Sequence, residues 1–190
     1  LVGGQDVRSI PAAELMEQIS FVFQEVHLFK KSIRDNIRAA RPNATEEEIL
    51  QAAHLAQCGD ILAKIPGGLD AVIGAKGVYL SGGEMQRIAL ARAILKDAPI
   101  VVLDEASSFA DPENEVKIQK AFEALMKGKT VLMIAHRLST VRRMDRILVI
   151  KKGVVVEEGK HDELIEKGGV YASMWEEYQS AAQWKVGGEA

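Results

Sequence analysis

Two adjacent carboxylates, Asp104 and Glu105, close the run Ile100-Val101-Val102-Leu103. A short apolar run rich in β-branched residues reads as a buried strand. Open α/β sheets place their ligands at the C-terminal ends of such strands. Asp104 there suits Mg²⁺, a hard cation that takes oxygen ligands. Glu105 suits proton abstraction from water. The same pair also fits an ordinary acidic loop after a strand. A second candidate is Leu80-Ser81-Gly82-Gly83-Glu84-Met85-Gln86-Arg87. Ser81 and Glu84 have capping-box spacing, so the plainest reading is a helix start. Two glycines at that start also bare backbone N–H groups at the positive helix end, which suits a phosphate. The Ser81 hydroxyl adds a donor. His136 follows the apolar run Val131–Ala135, and Gln24 follows Ile19–Phe23. At strand ends, His136 suits a terminal phosphate, and Gln24 suits Mg²⁺ or a water. Either residue taken alone is more often structural.

The elements that must position these groups alternate. Besides the three runs above, Arg146–Ile150 and Val154–Glu157 read as strands joined by Lys151-Lys152-Gly153, a hairpin. Thr45 and Glu48 form a T-x-x-E capping box before Ile49, Ala52, Ala53 and Ala56 at helical spacing. Asp111-Pro112 is an N-cap followed by proline at the first helical position. Val116, Ala121, Phe122 and Leu125 are expected to form that helix's buried side. His161 to Lys167 and Val170 to Ser180 read as closing helices, and Gln183 to Ala190 as a fraying tail. Strands alternating with helices predict an α/β domain with a largely parallel sheet. The stretch 33–98 reads as almost wholly helical, interrupting the alternation, and as an inserted subdomain. The expected organisation is a core part at 1–32, the helical subdomain at 33–98, a second core part at 99–180, and a tail at 181–190.

Composition narrows the function classes. The 190 residues carry a net charge of -3, which gives no electrostatic case for nucleic acid. The cluster Arg137, Arg142, Arg143, Arg146, Lys151 and Lys152 reads as a solvated face. No apolar run approaches the ~20 residues that span a bilayer. Cys58, the single cysteine, has no metal-ligand spacing around it and reads as a small, at least half-buried side chain.

Taken in order, these motifs resemble the nucleotide-binding domain of ABC transporters, over about Leu1 to Gln179. Gln24 resembles the glutamine loop, LSGGEMQR the signature, Asp104-Glu105 the end of the Walker B strand, Ser108–Asp111 the D-loop, and His136 the switch histidine. The segment FKKSIRDNI at Phe29–Ile37 resembles the exporters of that family. The resemblance implies a P-loop NTPase-like (RecA-like) core and two domains that sandwich two ATP molecules head to tail. It implies Glu105 as general base, His136 on the γ-phosphate, Gln24 on Mg²⁺ and the attacking water, and Asp104 on Mg²⁺. Ser81, Gly82, Gly83 and Glu84 belong to the element that contacts ATP held by the opposite subunit, and Asp111 links the two sites. The implied cofactors are ATP and Mg²⁺. The implied partners are the transmembrane domains and a second nucleotide-binding domain, identical or related, with no nucleic acid. The implied place is the cytoplasmic face of the cell membrane.

The chain departs from that pattern at several positions. Glu84 stands where Gln is commonest in the family, the D-loop reads Ser-Phe-Ala-Asp, and Ala75 stands where exporters carry Glu. No G-x-x-x-x-G-K-[ST] run occurs. Gly128-Lys129-Thr130 is a decoy, because it precedes a strand. The expectation is therefore a piece of a longer polypeptide, inactive toward ATP by itself, with the strand Thr130–Ala135 left at a sheet edge. Two rival readings remain: a non-transport ABC ATPase of the DNA-repair type, and a non-catalytic interaction module that keeps the fold.

Overall fold

The computed structural model describes the backbone of residues 1–23, 25–74, 77–104, 112–135 and 138–187. Along the chain run α1 (Ala12–Glu17), β1 (Ile19–Val22), α2 (Ile33–Arg38), α3 (Glu46–Leu55), α4 (Gly59–Lys64) and α5 (Gly82–Lys96). Then come β2 (Ile100–Asp104), α6 (Pro112–Met126), β3 (Thr130–Ile134), α7 (Leu138–Val141), β4 (Ile147–Lys151), β5 (Val154–Gly159), α8 (His161–Glu166) and α9 (Val170–Gly187). The fold is α/β with a parallel sheet, as the alternation predicts. Two compact units divide it, Leu1–Ile134 and Ala135–Ala190.

In the first unit β1, β2 and β3 form a parallel sheet in that order. Register puts Val22 beside Leu103 and Leu103 beside Met133, so the three strands end along one edge. One face, with Val22, Val101 and Leu103 buried, packs into a core with Ile88, Leu90 and Ala91 of α5 and Ile118, Ala121 and Leu125 of α6. The other face leaves Phe21, Leu132 and Ile134 exposed. Lys96 closes α5 onto the sheet by donating to the carbonyls of Met16 and Ile19, each at 2.6 Å. Asp97 then ends α5 in the left-handed region (φ 53°), and its carboxylate pairs with Lys129 at 2.9 Å just before β3.

Helices α2 to α5 fill the chain between β1 and β2. The capping box at Thr45 forms, with Glu48 reaching back to the Thr45 N–H at 2.8 Å. Ile49, Ala52, Ala53 and Ala56 are buried as their spacing predicts, and so is Cys58, whose thiol burial pushes up to about 12. On α6 the pattern differs from expectation. Ile118, Ala121 and Leu125 face inward while Val116 is 57% exposed. Val116 lies two residues from Ile118, about 200° around the helix, and so points away from the shared face. Pro112 does open α6, as a proline at the first helical position should.

In the second unit β4 and β5 pair antiparallel. Their turn is Lys152-Gly153 alone, both at positive φ (52° and 79°), which is the two-residue geometry that suits strand twist. Arg142, Arg143, Lys151 and Lys152 are exposed, as a solvated face requires. The hairpin packs Ile147 and Val149 against Leu164 of α8 and Tyr171 of α9. Glu157 accepts from the Val170 and Tyr171 N–H groups, both at 2.8 Å, and so caps α9. That helix continues to Gly187, past the expected end at Ser180, because no proline or glycine interrupts residues 181–186. Among the described residues, no helix is long and apolar enough to cross a membrane.

Candidate functional site

Asp104 is the last residue of β2, paired in register with Ile134 at the end of β3. It is half-buried, on the edge where parallel strands deliver their C-terminal ends. Gln24, Glu105 and His136 each follow a strand end within two residues in the sequence. All three lie outside the described residues, as do Asp111, the rest of the Ser108–Asp111 stretch, Arg137, Ala75 and Lys76. Gly128-Lys129-Thr130 joins α6 to β3 and leads into a strand, so it has the wrong context for a phosphate loop.

The glycine-led helix is described in full. Ser81 caps α5, its Oγ accepting from the Glu84 N–H at 3.3 Å, while Glu84 Oε2 accepts from the Ser81 N–H at 2.8 Å. The capping box is thus complete, and the Ser81 hydroxyl proton is left to donate elsewhere. At a helix start the Gly82 and Gly83 N–H groups have no intrahelical acceptor. The two glycines differ. A Cβ on Gly82 would meet nothing within 4 Å, whereas one on Gly83 would press on Asn114 Cβ at 3.1 Å. Gly83 lets α6 approach; Gly82 keeps the helix end open. Ser81, Gly82 and Gly83 therefore present a hydroxyl and two amides at a positive helix end, a donor set that fits a phosphate.

Charged groups behind this helix hold it in place. Glu84 Oε1 also accepts from Lys64 Nζ at 3.1 Å. Burial works to raise the Glu84 carboxyl, but the Ser81 N–H and Lys64 outweigh it and hold the group below its usual range. One turn on, Arg87 is buried and donates to the Gln57 carbonyl, to both Asp60 oxygens and to Asn114 Oδ1. Lys117 of α6 reaches the same Asp60 at 2.8 Å. Burial raises the Asp60 carboxyl, yet Arg87 and Lys117 together bring it well below the carboxylate range. Arg92, two turns along from Glu84, donates to the Asn36 carbonyl and Oδ1 and lies 5.3 Å from the Phe29 ring centre. Asn36 in turn accepts from the Phe29 N–H and donates to its carbonyl. The segment after β1 is thereby tied to the glycine-led helix.

Sequence reasoning singled out Ser81 to Glu84 and gave no role to Arg87, Asp60, Lys64, Asn114 or Arg92. One signal for Arg87 was present. It lies four residues after Gly83 and beside Ile88, Leu90 and Ala91, so it is a charge on a buried helix face, which needs a partner. Nothing local names the partners, which lie 27 and 30 residues away.

The ABC transporter family profile matches residues 1–108. Among curated relatives, the chain is 51% identical over 172 residues to an ATP-dependent lipid A-core flippase of Vibrio vulnificus, covering 90% of this chain and 30% of that protein. It is 47% identical over 180 residues to the mycobactin import ATP-binding/permease protein IrtA of Mycobacterium tuberculosis, covering 95% of this chain and 21% of that protein. Among solved structures, a bacterial Atm1-family ABC exporter with ATP bound superposes with a TM-score of 0.84 at 38% identity, over 93% of this chain and 31% of that one. The chain thus spans about a third or less of the length of these relatives. A profile match over more than half of its residues makes this chain a member of the ABC transporter family.

Proposed function

We propose that this chain is the ATP-hydrolysing part of an ABC exporter, acting with transmembrane domains and a second nucleotide-binding domain on the cytoplasmic face of a membrane. The observation that carries the reading is the start of α5. A complete capping box there leaves the Ser81 hydroxyl proton and the Gly82 amide free to donate at an exposed helix start, with the Gly83 amide next in the same first turn, where the side chain of Asn114 lies close. Those donors suit the phosphates of an ATP held by the second domain. Asp104 would supply a hard carboxylate oxygen to hold Mg²⁺, a cation that prefers oxygen ligands. Bound Mg²⁺ neutralises charge developing on the phosphates. Glu105 takes the proton of the attacking water, His136 donates to the terminal phosphate, Gln24 orients the water and the metal, and Asp111 joins the two sites. The expected division into core parts at 1–32 and 99–180 and a helical part at 33–98 belongs to this reading, with the helical part meeting the membrane domains.

The coding sequence upstream of Leu1 tests the proposal directly. A phosphate-loop sequence preceded by transmembrane helices supports it; a stop codon with neither sinks it. A second test is binding. In the full-length gene product Asp104→Asn should weaken Mg²⁺-dependent ATP binding, and unchanged binding would remove Asp104 from the metal site.

A further inference from the structure

Glu84 raises a problem for the proposed phosphate site. A carboxylate in the first turn of α5 places negative charge beside the amides that are to receive a triphosphate. Its geometry shows how the charge is handled. Oε2 is held by the Ser81 N–H at 2.8 Å and Oε1 by Lys64 Nζ at 3.1 Å, so each oxygen has one donor. The Glu84 side chain is only 12% exposed, whereas that of Lys64 is 71% exposed. Lys64 is the last residue of α4, where the helix dipole favours a cation. Its ammonium therefore stands at the surface, over a carboxylate that cannot turn away to water.

Resting on the proposed function, we infer that Lys64 is a positioning residue for ATP at this site. It cancels the Glu84 charge and fixes the capping box, so that the Ser81–Gly83 donors meet phosphate without a repelling neighbour. This differs from a lysine that attracts the phosphate itself. A compensating lysine matters only while Glu84 is charged; an attracting lysine matters whatever occupies position 84.

ATP hydrolysis by the full-length gene product separates the two. Lys64→Ala should raise KM about two- to fivefold, the scale of an exposed ion pair, and act on KM rather than kcat. Lys64→Arg should restore the wild-type KM, and the Lys64→Ala effect should shrink at high salt. In a Glu84→Gln background the same Lys64→Ala change should leave KM where Glu84→Gln alone puts it. A KM unmoved by Lys64→Ala, or an equal rise in both backgrounds, overturns the inference while leaving the proposed function standing. A wild-type protein that hydrolyses no ATP overturns the proposed function, and this inference with it. Thermal melts of each variant show whether a change in KM reflects a misfolded protein.

Discussion

Replacing Arg87 by Met tests the account of how the glycine-led helix is held. The methionine keeps much of the buried stem and removes the guanidinium. Four contacts go: the Gln57 carbonyl at 2.5 Å, Asp60 at 2.6 and 3.2 Å, and Asn114 at 3.0 Å. Breaking a fully buried ion pair costs about 3–5 kcal/mol, because the remaining charge is stranded. Asp60 would not be stranded. Its side chain is 45% exposed and keeps Lys117 at 2.8 Å. The cost is then set by the lost hydrogen bonds to a charged group, about 1.5–3 kcal/mol, and by a Gln57 carbonyl without its donor. We expect about 2–4 kcal/mol in all, a large part of a typical ~5–15 kcal/mol total. Urea unfolding followed by circular dichroism measures it, with the midpoint falling and the slope unchanged. A loss below about 0.5 kcal/mol, the range of an unremarkable surface change, would refute the reasoning. The pH dependence carries a sign. The Asp60 carboxyl titrates lower when folded, so its pairing adds stability above about pH 4 that fades as the pH falls further. Asp60→Asn should therefore flatten the acid limb of the stability curve.

Three further outcomes follow from the geometry. Gly83→Ala should destabilise by about 1–3 kcal/mol, since its Cβ meets Asn114 Cβ at 3.1 Å and Arg87 holds the Asn114 side chain in place at 3.0 Å; Gly82→Ala, with open space, should be neutral or slightly stabilising in the same melts. Glu157→Ala should cost the second unit about 0.5–2 kcal/mol by uncapping α9 at Val170 and Tyr171, read from the loss of near-ultraviolet signal from its aromatic residues on heating. In hydrogen exchange, amides of Val131–Ile134 should open at least about tenfold faster than those of Val101–Leu103, because among the described residues β3 pairs on one side and β2 on both; equal protection would mean the β3 edge is covered.

Much of the fold was legible because its signals are local. Ile19–Phe23, Ile100–Leu103 and Val131–Ala135 were expected as strands from β-branched runs, and each matches a strand to within a residue or so. The capping boxes at Thr45 and Ser81 form as their spacing predicts. Val116 departs from the expected stripe because Ile118, two residues on, anchors the buried side near the start of α6. The four-residue α7 is too short to show a period. What sequence could not supply is the scaffold behind the site. Arg87 and Arg92 are fixed by partners that only the tertiary fold brings near, Asp60 and Asn114 for one and Asn36 and Phe29 for the other.

The proposed function assigns the carboxylate chemistry of ATP hydrolysis to Asp104 and Glu105. Steady-state phosphate release by the purified full-length gene product, with and without Glu105→Gln, tests it most directly. The amide keeps the shape of the side chain and removes its basicity, so turnover should fall at least about a hundredfold while ATP remains bound. Near-normal turnover in the Glu105→Gln protein would contradict the account.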